Sequence, residues 1–467
     1  MKKFLRAFVI LSICIVFIPL LGMTIRPTTT TTENKAMASF PTLTTKEGKV
    51  NLAFFQQFEK YFSEHFAFRN ELVFMDSKIQ SDLFGVSSMD SVISGKDGWL
   101  YYKSTLGDYL GRERMNERQL YNVAHNLSLV KEYLETKGKK LLVVFPPNKN
   151  TLYGENMPYY HNYIVEKTHN IEDMPELLER EGVLYGDLLE LFRNEEEVLY
   201  LKRDSHWNNK GALMAYNLMM DKIEMNHDDY SSISPSRTQD ELGDLNRMLY
   251  TFYGDKELNY RYDLEEKAKY LGDYKSVEDG FIETEGGTGS ETLLMFRDSF
   301  GNTLIPFIKE QYSRAWFTKE MPYGLEKLTD EYNPDHVIFE KVERNLKDFI
   351  SRPPVITAPL EETHGLTTSE PAEEMATINF GSLESDFDYY QIGGEVLPGV
   401  LSEEDDILVE INGKVYKAFH IGTDGFQMYI KKTSLEHFPI SVKIILSHDG
   451  EKRIIAENIF NEGDASI

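Results

Sequence analysis

Three short apolar runs, each followed by polar, turn-forming residues, constrain this chain more than any other feature. KKLLVVF (139–145), TLLMF (292–296) and HVIFE (336–340) are too short for buried helices, so they read as strands covered on both faces. Asn116 to Lys137 carries apolar residues at helical spacing and stops at Gly138, just before the first run, which Pro146-Pro147 then closes. Further helices are expected over Met174–Arg180 and from Asn208 to about Ile223, with GVLYGDLLE and Val198-Leu199-Tyr200 as shorter strand segments. Strands alternating with helices predict an α/β body of three layers, α/β/α, around a central parallel sheet.

Composition changes along the chain divide it further. Residues 1–25 carry Lys2, Lys3 and Arg6 ahead of an apolar run from Ala7 to Met23, the pattern of an export segment; a cleaved signal peptide and a retained N-terminal membrane anchor both fit it. Residues 26–49 are Thr-rich and read as a flexible tether. The folded body is expected over 50–350, with the polar, Gly-broken stretch 225–290 as an insertion, and the Pro/Glu/Thr-rich stretch 351–375 as a linker. Beyond it, residues 376–467 alternate polar and apolar positions around Asn-Gly (412–413) and Asp-Gly (449–450) turns, which predicts an antiparallel β-sandwich, either carbohydrate-binding or purely structural.

The balance of 76 acidic against 50 basic residues, a formal net charge of −26, repels a phosphate backbone and excludes nucleic acid as a partner. The single cysteine, Cys14, lies inside the export segment, so the exported part has no disulfide and no thiolate chemistry. Histidines such as His125, His227 and His420 have no neighbouring ligands at metal-site spacing, and no Gly-rich phosphate loop is present. Neither a catalytic metal nor a bound cofactor is expected.

Two segments carry candidate chemistry. In RDSHWNNKGA (203–212), Asp204 and His206 stand two residues apart, which in an extended loop turns both side chains the same way. A carboxylate can then hold one imidazole nitrogen and leave the other as a base. Trp207 would wall such a site, and Asn208 would cap the next helix. In TLLMFRDSFGN (292–302), a strand runs into Asp298-Ser299 and then a helix, so Ser299 would meet the free N–H groups of a helix start. Alone, the first motif also reads as a polar loop and the second as a helix cap. Together they supply a hydroxyl, a base and an orienting carboxylate at what read as the C-terminal ends of strands.

These blocks resemble a known family, the SGNH hydrolase-like proteins of alginate acetylation and their DHHW relatives. The resemblance also rests on FAFRNEL (66–72), SGKDGWLYY (94–102), VVFPPNK (143–149), GDLNRML (243–249) and NPDHVIFEKVERN (333–345). It implies an SGNH-like fold in which Ser299 is acylated, His206 is the base and Asp204 orients it. D-S-H-W stands here for the family's D-H-H-W, and Arg297 stands where GDS-type proteins have Gly, so no oxyanion hole transfers directly. Ser299 N–H is expected to serve, with Arg297, Asn148, Lys149 and Trp207 as further oxyanion or substrate candidates. The implied activity is extracytoplasmic O-acetyl transfer to an exported or cell-wall polysaccharide, with the acetyl group handed over by a membrane-bound O-acyltransferase partner. A carbohydrate acetyl esterase with the same triad, and a non-catalytic polysaccharide-binding protein, are the alternatives.

Overall fold

A computed structural model describes residues 2–29, 37–45, 48–84, 86–361, 374–383, 388–435, 437–448 and 450–465. Most of the Thr run, linker residues 362–373 and Asp449 of the Asp-Gly turn lie outside the described residues.

The body is built on a seven-stranded sheet. Its order is Tyr185–Gly186, Lys140–Val144, His336–Glu340, Thr292–Phe296, Arg314–Thr318, Phe281–Glu285, Lys269–Tyr270. The first five strands run parallel, and Phe281–Glu285 pairs antiparallel with its neighbours on both sides. The sheet is therefore mixed, not parallel throughout as expected. The last two strands come from 225–290, so that stretch is partly an extension of the sheet and not only an insertion. The remainder of it forms a hairpin, Ser236–Glu241 with Glu257–Arg261, and the helix Asp244–Tyr250.

Alternation along the inner strands sorts their side chains to two faces. Leu141, Val143, Leu294 and Phe339 pack under the helices Glu117–Thr136 and Met174–Arg180. Leu142, Leu293, Met295 and Ile338 pack under the helix Asn209–Lys222. All are buried, each contributing about 1.5–3 kcal/mol relative to exposure. Asn116 starts the long helix through a capping box with Gln119, and Gly138, at φ +68°, turns the chain out of it.

The C-terminal residues form two four-stranded antiparallel sheets around one shared core. One of them reaches the α/β body: Phe419 and Tyr429 join the core beneath the helix Glu117–Thr136. Arg118 donates to the carbonyls of Glu403 and Asp405, and Asn126 exchanges hydrogen bonds with the His420 backbone.

Candidate active site

Ser299 follows the strand Thr292–Phe296 after a two-residue step and heads a 3-10 turn, Phe300–Thr303, with a four-residue helix behind it. The regular helix expected there is replaced by a tight turn that its neighbours fix. The Asp298 carboxylate accepts from Phe300 N and Val342 N, both at 2.8 Å. Position 301 must be Gly, because a Cβ would stand 2.8 Å from both Arg297 Cβ and Glu340 Oε2. Arg297 is fully buried. Its guanidinium donates to the carbonyls of Val277 and Asp279 (both 2.9 Å), to the Asp298 carbonyl and to Asn302 Oδ1. It therefore ties the 277–279 segment to the serine turn, and it lies outside the cavity lining where an oxyanion donor would stand. By occupying Asn302 Oδ1 it also directs the Asn302 amide nitrogen toward Glu278, on the wall of the cavity that Ser299 lines.

His206 sits on the loop before the helix Asn209–Lys222, which Asn208 caps by accepting from Gly211 N at 3.0 Å. Val198–Tyr200 is not a sheet strand: Tyr200 pairs only with Trp207, in an isolated bridge. The loop reaches the sheet edge through tertiary contacts instead. His206 Nε2 lies 2.7 Å from Ser299 Oγ, and His206 Nδ1 lies 2.6 Å from Asp204 Oδ1, which also accepts from His206 N at 2.8 Å. Because Asp204 only accepts, the Nδ1 proton faces it and Nε2 is left toward the serine hydroxyl. Sequence reasoning gave no role to Asp244. Asp244 N donates to Asp204 Oδ2 at 2.8 Å, and its carboxylate accepts from Ser205 N and Ser205 Oγ, placing Oδ2 3.8 Å from His206 Nδ1. This approach needs Gly243, whose Cβ would lie 2.3 Å from Arg203 O.

Burial alone would lower the His206 pKa, but the charges of Asp204, Asp244 and Asp298, with the Asp204 hydrogen bond, outweigh it and hold the imidazole at about 9. Burial likewise pushes the Asp204 carboxyl up, and the His206 charge with three hydrogen bonds brings it well below the usual carboxylate range. Any reaction needing neutral His206 should therefore speed up with pH toward about 9. Asp244→Asn keeps an acceptor for Ser205 N while removing one of the charges that raise His206. Its pH–rate profile should move to lower pH by about one pH unit, and an unmoved profile would show that Asp244 does not act on the base.

Trp207 is buried, donates to Thr303 Oγ1 at 2.6 Å, and walls the cavity. Asn148 and Lys149 do not line it. Asn148 is buried on Asp108 and Glu343. Lys149, also buried, donates to the carbonyls of Leu201, Lys202 and Asp204 at 3.2, 3.0 and 2.6 Å, bracing the Asp204–His206 loop from behind. Burial lowers its pKa to about 8 against the pull of Asp204, Asp244 and Glu257. Lys149→Met should leave those carbonyls unpaired and cost about 3 kcal/mol in chemical denaturation, with a larger fractional loss of activity than of folded protein.

The cavity, of about 430 Å³, opens over Ser299 and His206 and is walled on the far side by Glu241, Arg247, Arg261 and Tyr262 of the 236–262 segment. Among the described residues, three groups of side chains have the donor types of a metal site, with ligand atoms within 4.8 Å of one another: Asp204, His206 and Asp244; Asp108, His169 and Glu343; His125, Asp406 and His420. In the first, the N–H donors and Ser205 Oγ already occupy the carboxylate oxygens. In the last, the fold stacks His125 on His420 at 4.0 Å, a proximity their distance in sequence conceals.

Comparison with known proteins bears on this constellation. Residues 92–281 match the SGNH hydrolase-like domain of the acetyltransferase AlgX. The AlgX-like stretch holds Asp204, His206 and Asp244 and ends before Ser299, which the fold brings to His206. Over 134 residues the chain is 30% identical to the probable alginate O-acetylase AlgJ of Pseudomonas syringae pv. tomato, covering 27% of this chain. It spans only 31% of that relative's length. Among solved structures, a DHHW family protein from Eubacterium siraeum aligns at 14% identity over 48% of this chain and 85% of its own, with a TM-score of 0.39. Bacillus cereus PatB1 aligns at 15% identity over 55% and 96%, with a TM-score of 0.43.

Proposed function

We propose that this chain is an extracytoplasmic O-acetyltransferase that carries an acetyl group on Ser299 and delivers it to a hydroxyl of an exported or cell-wall polysaccharide. The observation that carries the reading is the unbroken Asp204–His206–Ser299 hydrogen-bond chain opening onto a walled cavity. In this reading Ser299 Oγ attacks the acetyl carbonyl as His206 Nε2 takes its proton. The developing oxyanion would be met by Ser299 N–H at the head of the Phe300–Thr303 turn, and His206 returns the proton to the leaving group. A sugar hydroxyl then enters, gives its proton to His206 and takes the acetyl group, and His206 passes that proton to the departing Ser299 Oγ.

The hairpin and Tyr262 wall suits a polymer segment lying across the opening. A membrane-bound O-acyltransferase is the fitting donor, and the apolar N-terminal helix would keep the two together. The same acyl-enzyme ending on water would make an acetyl esterase. The two are separated by incubating the protein with an activated acetyl ester and bare glycans of several classes, then measuring acetylated glycan against free acetate. Release of acetate alone with every acceptor would replace the transferase reading with the esterase one.

A further inference from the structure

The helix Arg69–Phe84 is apolar on two opposite sides, and only one of them is covered. Phe74 packs against Tyr250 and Tyr253, Ser81 accepts from Tyr250 OH, and Ser77 is fully buried, so this side lies on the helix Asp244–Tyr250 and the turn after it. The opposite side carries Leu72, Met75 and Ile79 at i, i+3 and i+7, exposed by 42%, 56% and 49%. On the preceding helix, Phe54–His65, Phe55 is 81% exposed. Apolar side chains repeated at helical spacing and left in water are costly at about 25 cal/mol per Å², and a monomer seldom retains such a stripe without an occupant.

The N-terminal helix points to that occupant. Lys2–Gly22 is long and apolar enough over Phe4–Gly22 to cross a bilayer. Lys2, Lys3 and Arg6 mark its inner end, which places Gly22 at the outer surface. Against that last turn sits the bend between the two helices. Ala67 N donates to Pro19 O at 3.2 Å, a Cβ on Gly22 would stand 2.6 Å from Ala67 Cβ, and Thr28 hydrogen-bonds to the carbonyls of His65 and Phe66. Both helices therefore depart from the level at which the spanning segment meets the headgroups.

We infer that the exposed apolar side of Arg69–Phe84 lies in the outer-leaflet interface of the membrane that holds residues 2–22, docking the body directly on the bilayer instead of leaving it on a loose tether. An exposed apolar side of a helix can be buried at the headgroup–acyl boundary, and continuity with the span supplies the geometry. The inference takes the N-terminal helix as retained and is independent of the acyl-transfer reading.

The test uses the full chain with Cys14→Ser, reconstituted in phosphatidylethanolamine–phosphatidylglycerol vesicles and spin-labelled separately at Met75→Cys, Ile79→Cys and, for comparison, Leu397→Cys, an exposed site just after the C-terminal strand Tyr389–Glu395. Collision with oxygen, which concentrates in lipid, relative to a water-soluble nickel chelate should be several-fold higher at 75 and 79 than at 397. Nickel access at 75 and 79 equal to that at 397 would overturn the proposal, leaving the stripe in water. Protection from both agents at these two positions would also overturn it, assigning the stripe to a second copy or another protein.

Discussion

Ser299→Ala is expected to lower turnover of an activated acetyl ester by about 10⁶-fold, the scale on which the loss of a serine nucleophile is felt when serine and base act as a unit. In the acyl-transfer reading the effect is large because the hydroxyl oxygen would form the covalent bond and His206 Nε2, 2.7 Å away, would take its proton. His206→Ala should cost about as much, and the double variant scarcely more than either, since a nucleophile without its base and a base without its nucleophile are equally idle. Stability should change little. The Ser299 side chain makes one hydrogen bond, worth about 1 kcal/mol, and Arg297, Asp298 and Gly301 hold the turn without it. Steady-state rates measured beside denaturant midpoints separate the two effects. A rate within tenfold of wild type would remove Ser299 from the chemistry.

Asp204→Asn should reduce the rate by about 10⁴-fold while leaving the fold intact. Every polar contact of this carboxylate is as an acceptor, from His206 Nδ1, His206 N and Asp244 N. An amide in its place must turn its NH₂ toward one of these donors. Facing the imidazole, it would draw the Nδ1 lone pair and leave the proton on Nε2, the tautomer unable to accept from Ser299. The change also has a signature in stability. The His206 pKa, held at about 9 in the fold, lies above its free value of about 6.5, so its contribution is full below that pH and is lost as pH rises through 9. Asp204 is held below its free value of about 3.9, so its contribution is present above that pH and disappears on acidification. The stability difference between Asp204→Asn and wild type should therefore be largest between roughly pH 4 and 6.5 and shrink by pH 10. A difference constant across that range would mean the pair is not ionised as described.

The parts legible in sequence were those specified locally. TLLMF and HVIFE form strands over the positions their apolar runs mark, and Asp204 and His206, two apart, do turn toward each other. What escaped was fixed by distant chain. Asp244 lies forty residues beyond Asp204 in a polar stretch, and only the fold places its N–H on Asp204 Oδ2. Phe281–Glu285 is half-exposed on its outer side, so its apolar signal is weak and its antiparallel pairing with Arg314–Thr318 went unseen. Lys149 and Arg297 carry charge and invite a solvent-side or substrate-side reading; both are buried because backbone carbonyls compensate their desolvation. Val198–Tyr200 has the apolar run of a strand but joins no sheet, and its β-pairing among the described residues is the single bridge of Tyr200 with Trp207.

Acylation of Ser299 is decided by intact-mass spectrometry of the full-length protein in detergent after brief exposure to an activated acetyl ester, beside Ser299→Ala and His206→Ala. One added acetyl group is expected on the wild type, none on Ser299→Ala and a strongly delayed addition on His206→Ala. A folded wild-type protein that neither gains that mass nor turns the ester over, or an acetyl group that persists in Ser299→Ala, would contradict it.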